Sequence, residues 1–400
     1  MAHLKTPISG DLWLENRQRA IALFRSKRTF LFSAYPDADA LGTMLALALY
    51  LKQLGKTASL FFPSPVKQNL QFMKDIIEFN DIPIIKDEKE LKALQNEVDT
   101  VVFCDTANAG LVPFATTFQQ CYLDRGIAVV EIDHHFGTDS AAIAEEGIHL
   151  FRTANASTEI AAELLQDLHR HYPSLPAPFS QRNIVISLLM GLLTDTFGGR
   201  AVPLRQDYDY WHQLLGEHLK VETQSDSGDF RRNDGMIQFV RPQEILAHLN
   251  RLSPELERNV EMLKKKIIRH EDVGELDLLD SSLKQLSRDP VEKGNGDFFQ
   301  LWNAMANVVP QTGGKVGLFY FNGKNAEGKD CLFLKIRRAF DFNRFDLRES
   351  ETALKKTFGQ QYLGGGGHAG AVSFRIQPMG EPEFHLKVSG IVDFLQNQVR

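Results

Sequence analysis

The chain has 400 residues, about twice the length of a typical single domain, so its length predicts two domains. It is 43% hydrophobic and 24% charged with a net charge of −6, which argues against a membrane-spanning protein and against one that grips long nucleic acid through a basic face. The amino terminus lacks the basic and apolar blocks of a signal peptide, and three cysteines stand at unrelated spacings, so we expect a cytoplasmic protein.

The first half of the chain alternates apolar, β-rich runs with helical patterns. Runs at residues 29–33, 100–104 and 127–132 predict buried strands. The clearest helix is expected from Asp39 to Leu54, because its apolar residues fall at helical spacing and Gly55 can end it. Residues from about 29 to 200 therefore predict an α/β fold with a doubly wound, mostly parallel sheet.

Acidic residues or histidines follow each of these runs, and also a fourth run at residues 186–194 that we read as another strand. They are Asp37, Asp39, Asp105, Asp133, His134, His135 and Asp195. Ligands gather at the carboxyl ends of parallel strands, and carboxylates brought together there repel one another unless cations neutralise them. The pattern predicts a two-metal site that activates water for phosphoryl transfer. Taken alone, Asp39 is an ordinary helix N-cap, and only the joint occurrence favours metal binding.

The second half begins with a polar segment that has no regular pattern. Residues 223–235 read as a loop or linker, so we expect domains at 1–225 and 246–400 with a linker at 226–245. A helical pattern at 254–268 and apolar runs at 316–321 and 331–336 predict a smaller C-terminal α/β domain. We expect the active site in the cleft between the two domains.

The order and spacing of the acidic motifs resemble those of the DHH phosphoesterase family. The first family motif is similar to residues 36–42, and later motifs are similar to Asp105, to Asp133-His134-His135 and to Asp195-Thr196. Residues 364–371, which are rich in glycine, look like the signature of the DHH-associated substrate domain. The resemblance implies a DHH catalytic, metal-binding domain in the first half and a DHH-associated substrate-binding domain in the second.

The resemblance also implies a role for each residue of the site. Two Mn²⁺ ions are expected, with Mg²⁺ as a substitute. Asp37 would bind one ion, Asp39, His134 and Asp195 would bind the other, and Asp105 would bridge them. Asp133 would orient its neighbours and His135 would face the phosphoryl group, which makes these two the catalytic candidates.

One position departs from the family pattern. Phosphodiesterase members usually carry a histidine four residues before the first motif aspartate, where this chain has Ser33. A hydroxyl is a poorer ligand than imidazole, so the first metal is expected to bind more weakly.

Candidates for binding substrate phosphate lie near the end of the chain. They are Arg337, Gly365, Gly366, Gly367 and His368. Successive glycines let amide N–H groups approach an anion closely, with a flexible loop as the alternative, and a guanidinium suits bidentate phosphate contact. Arg338 is expected to alternate to the solvent side, and Asn343 is a weaker candidate. Residues 157–159, Ser-Thr-Glu, resemble another segment of the family, but we favour the alternative of an ordinary helix cap.

The function predicted from these features is a metal-dependent phosphodiesterase that cleaves short oligoribonucleotides or cyclic dinucleotides to mononucleotides. One alternative is a 3′-phosphatase acting on adenosine bisphosphate, and another is a nucleotide-binding regulatory homologue weakened at Ser33. The expected partner is short RNA or a dinucleotide, without long nucleic acid or membrane, and a homodimer is compatible with the sequence.

Overall fold

The computed structural model describes residues 4–34, 37–63, 68–137, 140–219, 239–252, 254–279, 297–324 and 329–400. The chain divides into two compact units. The first comprises the described residues of Met1–His135 and Ser140–Asn250, and the second those of Phe136–Asp139 and Arg251–Arg400. Residues 226–238 of the predicted linker lie outside the described residues. A helix begins in the remainder of that predicted linker, at Pro242.

The first unit is built from alternating strands and helices. Its strands are β1 Thr29–Ala34, β2 Thr57–Phe61, β3 Ile84–Ile85, β4 Thr100–Cys104, β5 Ala128–Asp133 and β6 Ile148–Phe151. Its helices are α1 Gly10–Ser26, α2 Ala38–Gln53, α3 Gln71–Phe79, α4 Glu88–Ala93, α5 Ala115–Cys121, α6 Ser157–His171, α7 Arg182–Asp195, α8 Arg205–Leu219 and α9 Pro242–Leu249.

The six strands of the first unit form one parallel sheet in the order β3-β2-β1-β4-β5-β6. The chain winds outward from β1 to one edge and then returns to β4 on its other side. This reversal places a switch point between β1 and β4, where α/β sheets bind ligands at the carboxyl ends of their strands. The predicted parallel sheet is confirmed.

Helices α2 and α7 pack against each other so closely that glycine is required between them. A Cβ atom at Gly42 would lie 2.4 Å from the carbonyl oxygen of Ser187 on α7. Nearly all of both helices is buried, which explains why their sequences are apolar on every side.

The strand predicted at residues 186–194 is wrong, because this run lies within α7. A short buried strand and a fully buried helix both appear as continuous apolar sequence, so periodicity cannot distinguish them. The helix begins at Arg182, and its length of 14 residues exceeds that of a usual strand.

The second unit contains a six-stranded sheet in the order β11-β12-β10-β9-β8-β7, antiparallel except for the parallel pair β8–β9. Its strands are β7 Ile268–His270, β8 Val273–Asp277, β9 Val316–Lys324, β10 Asp330–Arg338, β11 Tyr362–His368 and β12 Ala371–Ile376. Its helices are α10 Pro254–Lys264, α11 Asp297–Gly313, α12 Ser350–Phe358 and α13 Glu381–Val399. The predicted smaller C-terminal α/β domain is confirmed.

Within the described residues, no helix combines the length and apolar character needed to cross a bilayer.

Candidate metal centre

The first two acidic residues stand at the start of α2, directly after β1. Asp37 is the N-cap, and its Oδ1 accepts a hydrogen bond from the backbone N–H of Ala40 at 3.0 Å. Asp39 lies in the first helical turn and is only 1% exposed. The capping role considered for Asp39 therefore belongs to Asp37, which leaves the Asp39 carboxylate directed at other elements.

Asp39 caps a different helix, α6. Its Oδ2 accepts a hydrogen bond from Ser157 N at 2.6 Å, and its Oδ1 accepts one from Thr158 N at 3.1 Å. The N-terminal amides of a helix carry partial positive charge, so they favour a carboxylate at this position.

The ordinary cap predicted at Ser157 is wrong, because the N-cap position is Ala156 and makes no side-chain hydrogen bond. The Ser157 hydroxyl instead donates to Asp105 Oδ1 at 2.8 Å. Local sequence could not reveal this bond, since Ser157 and Asp105 are 52 residues apart.

The Asp133-His134-His135 segment closes a tight turn at the end of β5. Asp133 Oδ1 accepts hydrogen bonds from His134 N at 2.8 Å, from His135 N at 3.1 Å and from His135 Nδ1 at 2.8 Å. An aspartate that binds the backbone ahead of it in this way fixes the direction of the following side chains. Asp133 therefore orients both histidines.

His134 lies at the centre of the carboxylates. Its Nε2 is 3.2 Å from Asp195 Oδ2, 3.4 Å from Asp105 Oδ1 and 3.7 Å from Asp39 Oδ2. Its Nδ1 lies 3.2 Å from the carbonyl oxygen of Ala154. When Nδ1 carries the proton and donates it to that carbonyl, Nε2 presents a lone pair, which is the usual arrangement of a metal-ligating histidine.

Two groups of side chains could each hold a cation. Ligand atoms of Asp39, His134 and Asp195 lie within 4.8 Å of one another, and the same is true of Asp105, His134 and His135. The buried Nε2 of His134 makes no hydrogen bond of good geometry within the part of the chain that the structure describes. Carboxylate oxygens and imidazole nitrogen suit Mn²⁺ or Mg²⁺, so the residues present fit a divalent metal.

The electrostatics of the site also favour a cation. Burial, followed by the charges of Asp105 and Asp195, raises the pKa values of Asp37 and Asp39 well above the usual range. Burial opposes ionisation of Asp105, but His135 and His134 hold its pKa below the usual value. Asp195 is the last residue of α7, where the helix dipole disfavours a carboxylate. A bound cation would relieve each of these unfavourable interactions.

The neighbouring carboxylates favour the charged forms of the two histidines. Burial disfavours the charged form of His134, yet the nearby carboxylates of Asp105 and Asp195 raise its pKa well above the usual range. Burial likewise opposes charging of His135, but Asp133 and Asp105 raise its pKa to about 9.

Ser33 lies one residue before the end of β1 and is fully buried. Among the described residues, its Oγ has no hydrogen-bond partner. The structure thus places a small hydroxyl, without an evident bonding role, at the position where the family resemblance implies a histidine.

The substrate-binding candidates lie in the second unit. Arg337 is half-buried on β10, opposite Gly317 of β9 and Ala371 of β12. Arg338 does not face solvent as predicted, because it follows Leu334 and Ile336 on the side of the core, and its Nη1 donates to the carbonyl oxygen of Phe345 at 2.9 Å. Asn343 is exposed in the segment after β10.

The four glycines lie in a strand, β11, and not in a loop. Gly364, Gly365 and Gly367 have positive φ angles of 104°, 157° and 144°, which favour glycine. A Cβ at Gly365 would lie 2.3 Å from the carbonyl oxygen of Ser373. Gly366 pairs with Ser373, and His368 is described only as a backbone position paired with Ala371. The phosphate-binding roles of these residues remain predictions.

Comparison with known proteins agrees with this arrangement. The family model for the DHH family, N-terminal domain, matches residues 28–192. An exopolyphosphatase-related protein from Bacteroides fragilis has a similar fold, with a TM-score of 0.64 and 14% identity over 97% of this chain and 98% of that chain. RecJ from Thermus thermophilus, solved with Mn²⁺, gives a TM-score of 0.52 and 14% identity over 98% of this chain and 56% of its own. A comparison with curated proteins gives no match.

The matched residues include Asp37, Asp39, Asp105 and the Asp133-His134-His135 segment, and they end three residues before Asp195. The similar structures share only the fold, because their sequence identity is low. Residues 28–192 are thus similar to the DHH family, N-terminal domain, and the chain shares its fold with the exopolyphosphatase-related protein.

Proposed function

We propose that this chain is a metal-dependent phosphodiesterase that hydrolyses short oligoribonucleotides or cyclic dinucleotides to mononucleotides. The observation that carries the proposal is the position of His134 Nε2, within 3.7 Å of three carboxylates and without a hydrogen bond of good geometry among the described residues. A cluster of this kind is unfavourable unless a cation binds it, and divalent cations in such clusters serve phosphoryl transfer.

Residues of the first unit would bind the two ions. Asp39, His134 and Asp195 would hold one ion, Asp37 would hold the other, and Asp105 would contact both. Mn²⁺ is the proposed ion, with Mg²⁺ as a substitute, and RecJ, which shares the fold, has been solved with Mn²⁺. When bound, such ions supply an acidified water and offset negative charge on a phosphoryl oxygen.

Protein side chains would then position the proton and the substrate. His135 Nδ1 is held by Asp133, so its other ring nitrogen is available to a substrate oxygen. Asp133 and Asp105 raise the pKa of His135, which favours the protonated imidazole, and that form would stabilise anionic charge. Asp133 keeps the ring in this orientation and is therefore a positioning residue.

Short substrates are proposed because the candidate phosphate-binding residues would contact a single phosphate. Arg337 on β10 and residues Gly365–Gly367 on β11 would bind one terminal phosphate, and His368 would complete this contact. The chain has a net charge of −6 and no broad basic excess, which disfavours tracking along a polymer.

A regulatory homologue is the competing proposal, and Ser33 supports it. A first metal held only by Asp37 and Asp105 would bind weakly, and the Ser33 hydroxyl is a poor substitute for an imidazole ligand. Against it stands the retention of several buried carboxylates, which have no benefit for a nucleotide-binding protein that does not bind metal.

The test is hydrolysis of the RNA dinucleotide pApA with Mn²⁺, with cyclic di-adenylate and adenosine 3′,5′-bisphosphate assayed in parallel. Asp105→Ala is the inactive variant, and Asp11→Ala, an exposed aspartate on α1, is the matched control. Release of AMP from pApA that Asp105→Ala abolishes supports the proposal. Turnover of the bisphosphate alone would replace it with a phosphatase, and nucleotide binding without turnover would favour the regulatory homologue.

A further inference from the structure

The buried side chain of Lys5 contacts residues that adjoin the candidate metal ligands. The Lys5 side chain is 0% exposed. Its segment is fixed on both sides, because Leu4 forms a β-bridge with Ala141, Lys5 N donates to Ser140 O at 2.9 Å, and Ile8 N donates to Phe151 O at 2.7 Å. The ammonium group therefore has a defined position despite lying near the chain terminus.

The ammonium group makes specific contacts with two loops of the site. Lys5 Nζ donates to Asp133 Oδ2 at 2.6 Å and to the carbonyl oxygen of Thr106 at 2.6 Å. It also lies 4.7 Å from the centroid of the Phe151 ring. A buried charge is costly unless it is paired and hydrogen-bonded, and both conditions are met here.

These contacts connect Lys5 to the candidate metal ligands through one intermediate each. Asp133 binds Lys5 through Oδ2 and binds the two histidines through Oδ1. Thr106 is the residue directly after Asp105. A single ammonium group thus ties the loop that follows β4 to the turn that follows β5.

We propose that Lys5 is a positioning residue of the metal centre, which holds Asp133 and Thr106 so that His134, His135 and Asp105 are pre-oriented for metal. The inference rests on the proposed function. This positioning role differs from a direct electrostatic effect on the metal, because the positive charge of Lys5 by itself repels a cation. Loss of that charge alone would tighten metal binding, whereas loss of orientation weakens it.

The experiment compares Lys5→Met, Lys5→Arg and the matched control Lys315→Met. Lys315 lies in the second unit, where its Nζ contacts Asp272 Oδ2 at 2.8 Å and Val399 O at 2.7 Å, so its bonds are of the same kind. Mn²⁺ binding is measured by the electron paramagnetic resonance signal of free Mn²⁺, without substrate. The values of kcat and KM for pApA are measured separately.

Lys5→Met is expected to weaken Mn²⁺ binding by about 10- to 100-fold and to lower kcat with little change in KM. Lys5→Arg should recover part of this loss, and Lys315→Met should match the wild type. Unchanged or tighter Mn²⁺ binding in Lys5→Met overturns the inference. If the wild type does not hydrolyse pApA, the proposed function fails, but the Mn²⁺ titration still decides the role of Lys5.

A folding defect is separated from a positioning defect by the double variant Lys5→Met/Asp133→Asn. This variant removes the charge of the carboxylate nearest Lys5 Nζ, and Glu131, 3.9 Å from that atom, keeps its hydrogen bonds from Ile143 N and Ala144 N, so the variant should fold even if Lys5→Met does not. Weaker Mn²⁺ binding in the folded double variant than in Asp133→Asn alone supports the inference. Equal Mn²⁺ binding in the double variant and in Asp133→Asn, or failure of both Lys5→Met variants to fold, overturns it and leaves Lys5 with a structural role.

Discussion

Gly191 on α7 provides the space that the Asp39 carboxylate occupies, so we predict that Gly191→Ala damages the metal centre. A Cβ at this position would lie 2.2 Å from Asp39 Oδ1, 2.5 Å from Thr158 Cγ2 and 2.7 Å from Thr158 Oγ1. These atoms cannot shift without losing contacts, because Asp39 and Thr158 are buried and hydrogen-bonded to each other. The carboxylate must move and lose its bonds to the start of α6.

Two opposing effects determine the change in stability. Alanine favours a helix interior over glycine by about 1 kcal/mol. Overpacking of a rigid core costs about 1–3 kcal/mol, so Gly191→Ala should lower the free energy of unfolding by roughly 0–2 kcal/mol. Displacement of a metal ligand is expected to weaken Mn²⁺ binding by about 10- to 100-fold.

The assay is urea unfolding of the metal-free protein together with Mn²⁺ titration, and Gly390→Ala is the control. Gly390 lies within α13, and a Cβ there would meet no atom within 4 Å. Its replacement should raise the free energy of unfolding by up to about 1 kcal/mol without changing Mn²⁺ binding. If Gly191→Ala behaves like Gly390→Ala in both assays, the close packing of α7 on Asp39 is refuted.

Substitutions at three further positions test other parts of the structure. Ser33→His should tighten binding of the weaker Mn²⁺ ion by about 10-fold while Ser33→Ala leaves it unchanged, and equal Mn²⁺ titrations would contradict a missing ligand. The hydrogen bond from His149 to Glu131 raises the pKa of His149, so its contribution to stability is present below about pH 6.5 and is lost as pH rises through the folded-state pKa. The free energy of unfolding lost in His149→Gln should therefore be larger at pH 6 than at pH 9, and equal losses would exclude this bond. Gly367→Ala should lower the thermal midpoint, because φ is 144° and a Cβ would lie 2.2 Å from Ala371 O, and an unchanged midpoint would argue against this strand geometry.

The sheet of the first unit was predictable because its strands are short apolar runs with polar residues at their carboxyl ends. The predicted run at 100–104 coincides with β4, and the run at 127–132 overlaps all but the last residue of β5. Parallel pairing then brings Asp105 and His134 together at one edge without any further information. Local periodicity and one general rule about α/β sheets were sufficient for this part of the site.

The fully buried helix α7 was not predictable in the same way. Its residues from Ile184 to Leu193 are buried on all sides, so the sequence lacks the polar face that marks a helix at a surface. Asp195 is nevertheless a predicted site residue, because it follows this apolar run and Asp195-Thr196 resembles a family motif. It approaches His134 from the end of a helix and not from the end of a strand.

Ser157 and Lys5 were missed because their contacts join distant parts of the chain. Lys5 lies 128 residues from Asp133, and Ser157 lies 118 residues from Asp39. Each residue has an ordinary local interpretation, as a helix cap or as a surface lysine near a terminus. Tertiary packing determines the bonding partners of such residues, and neither helix propensity nor motif spacing predicts those partners.

The arrangement around Asp39 shows why the site depends on elements that carry no metal ligand themselves. Asp39 is desolvated, and Asp105 and Asp195 raise its pKa, so without compensation it would become protonated and lose its value as a ligand. The amides of Ser157 and Thr158 favour the charged form, and Gly191 allows α7 to approach without displacing it. Helix α6 and the glycine of α7 therefore hold the Asp39 carboxylate in position for a metal, and a bound cation would favour its ionised form.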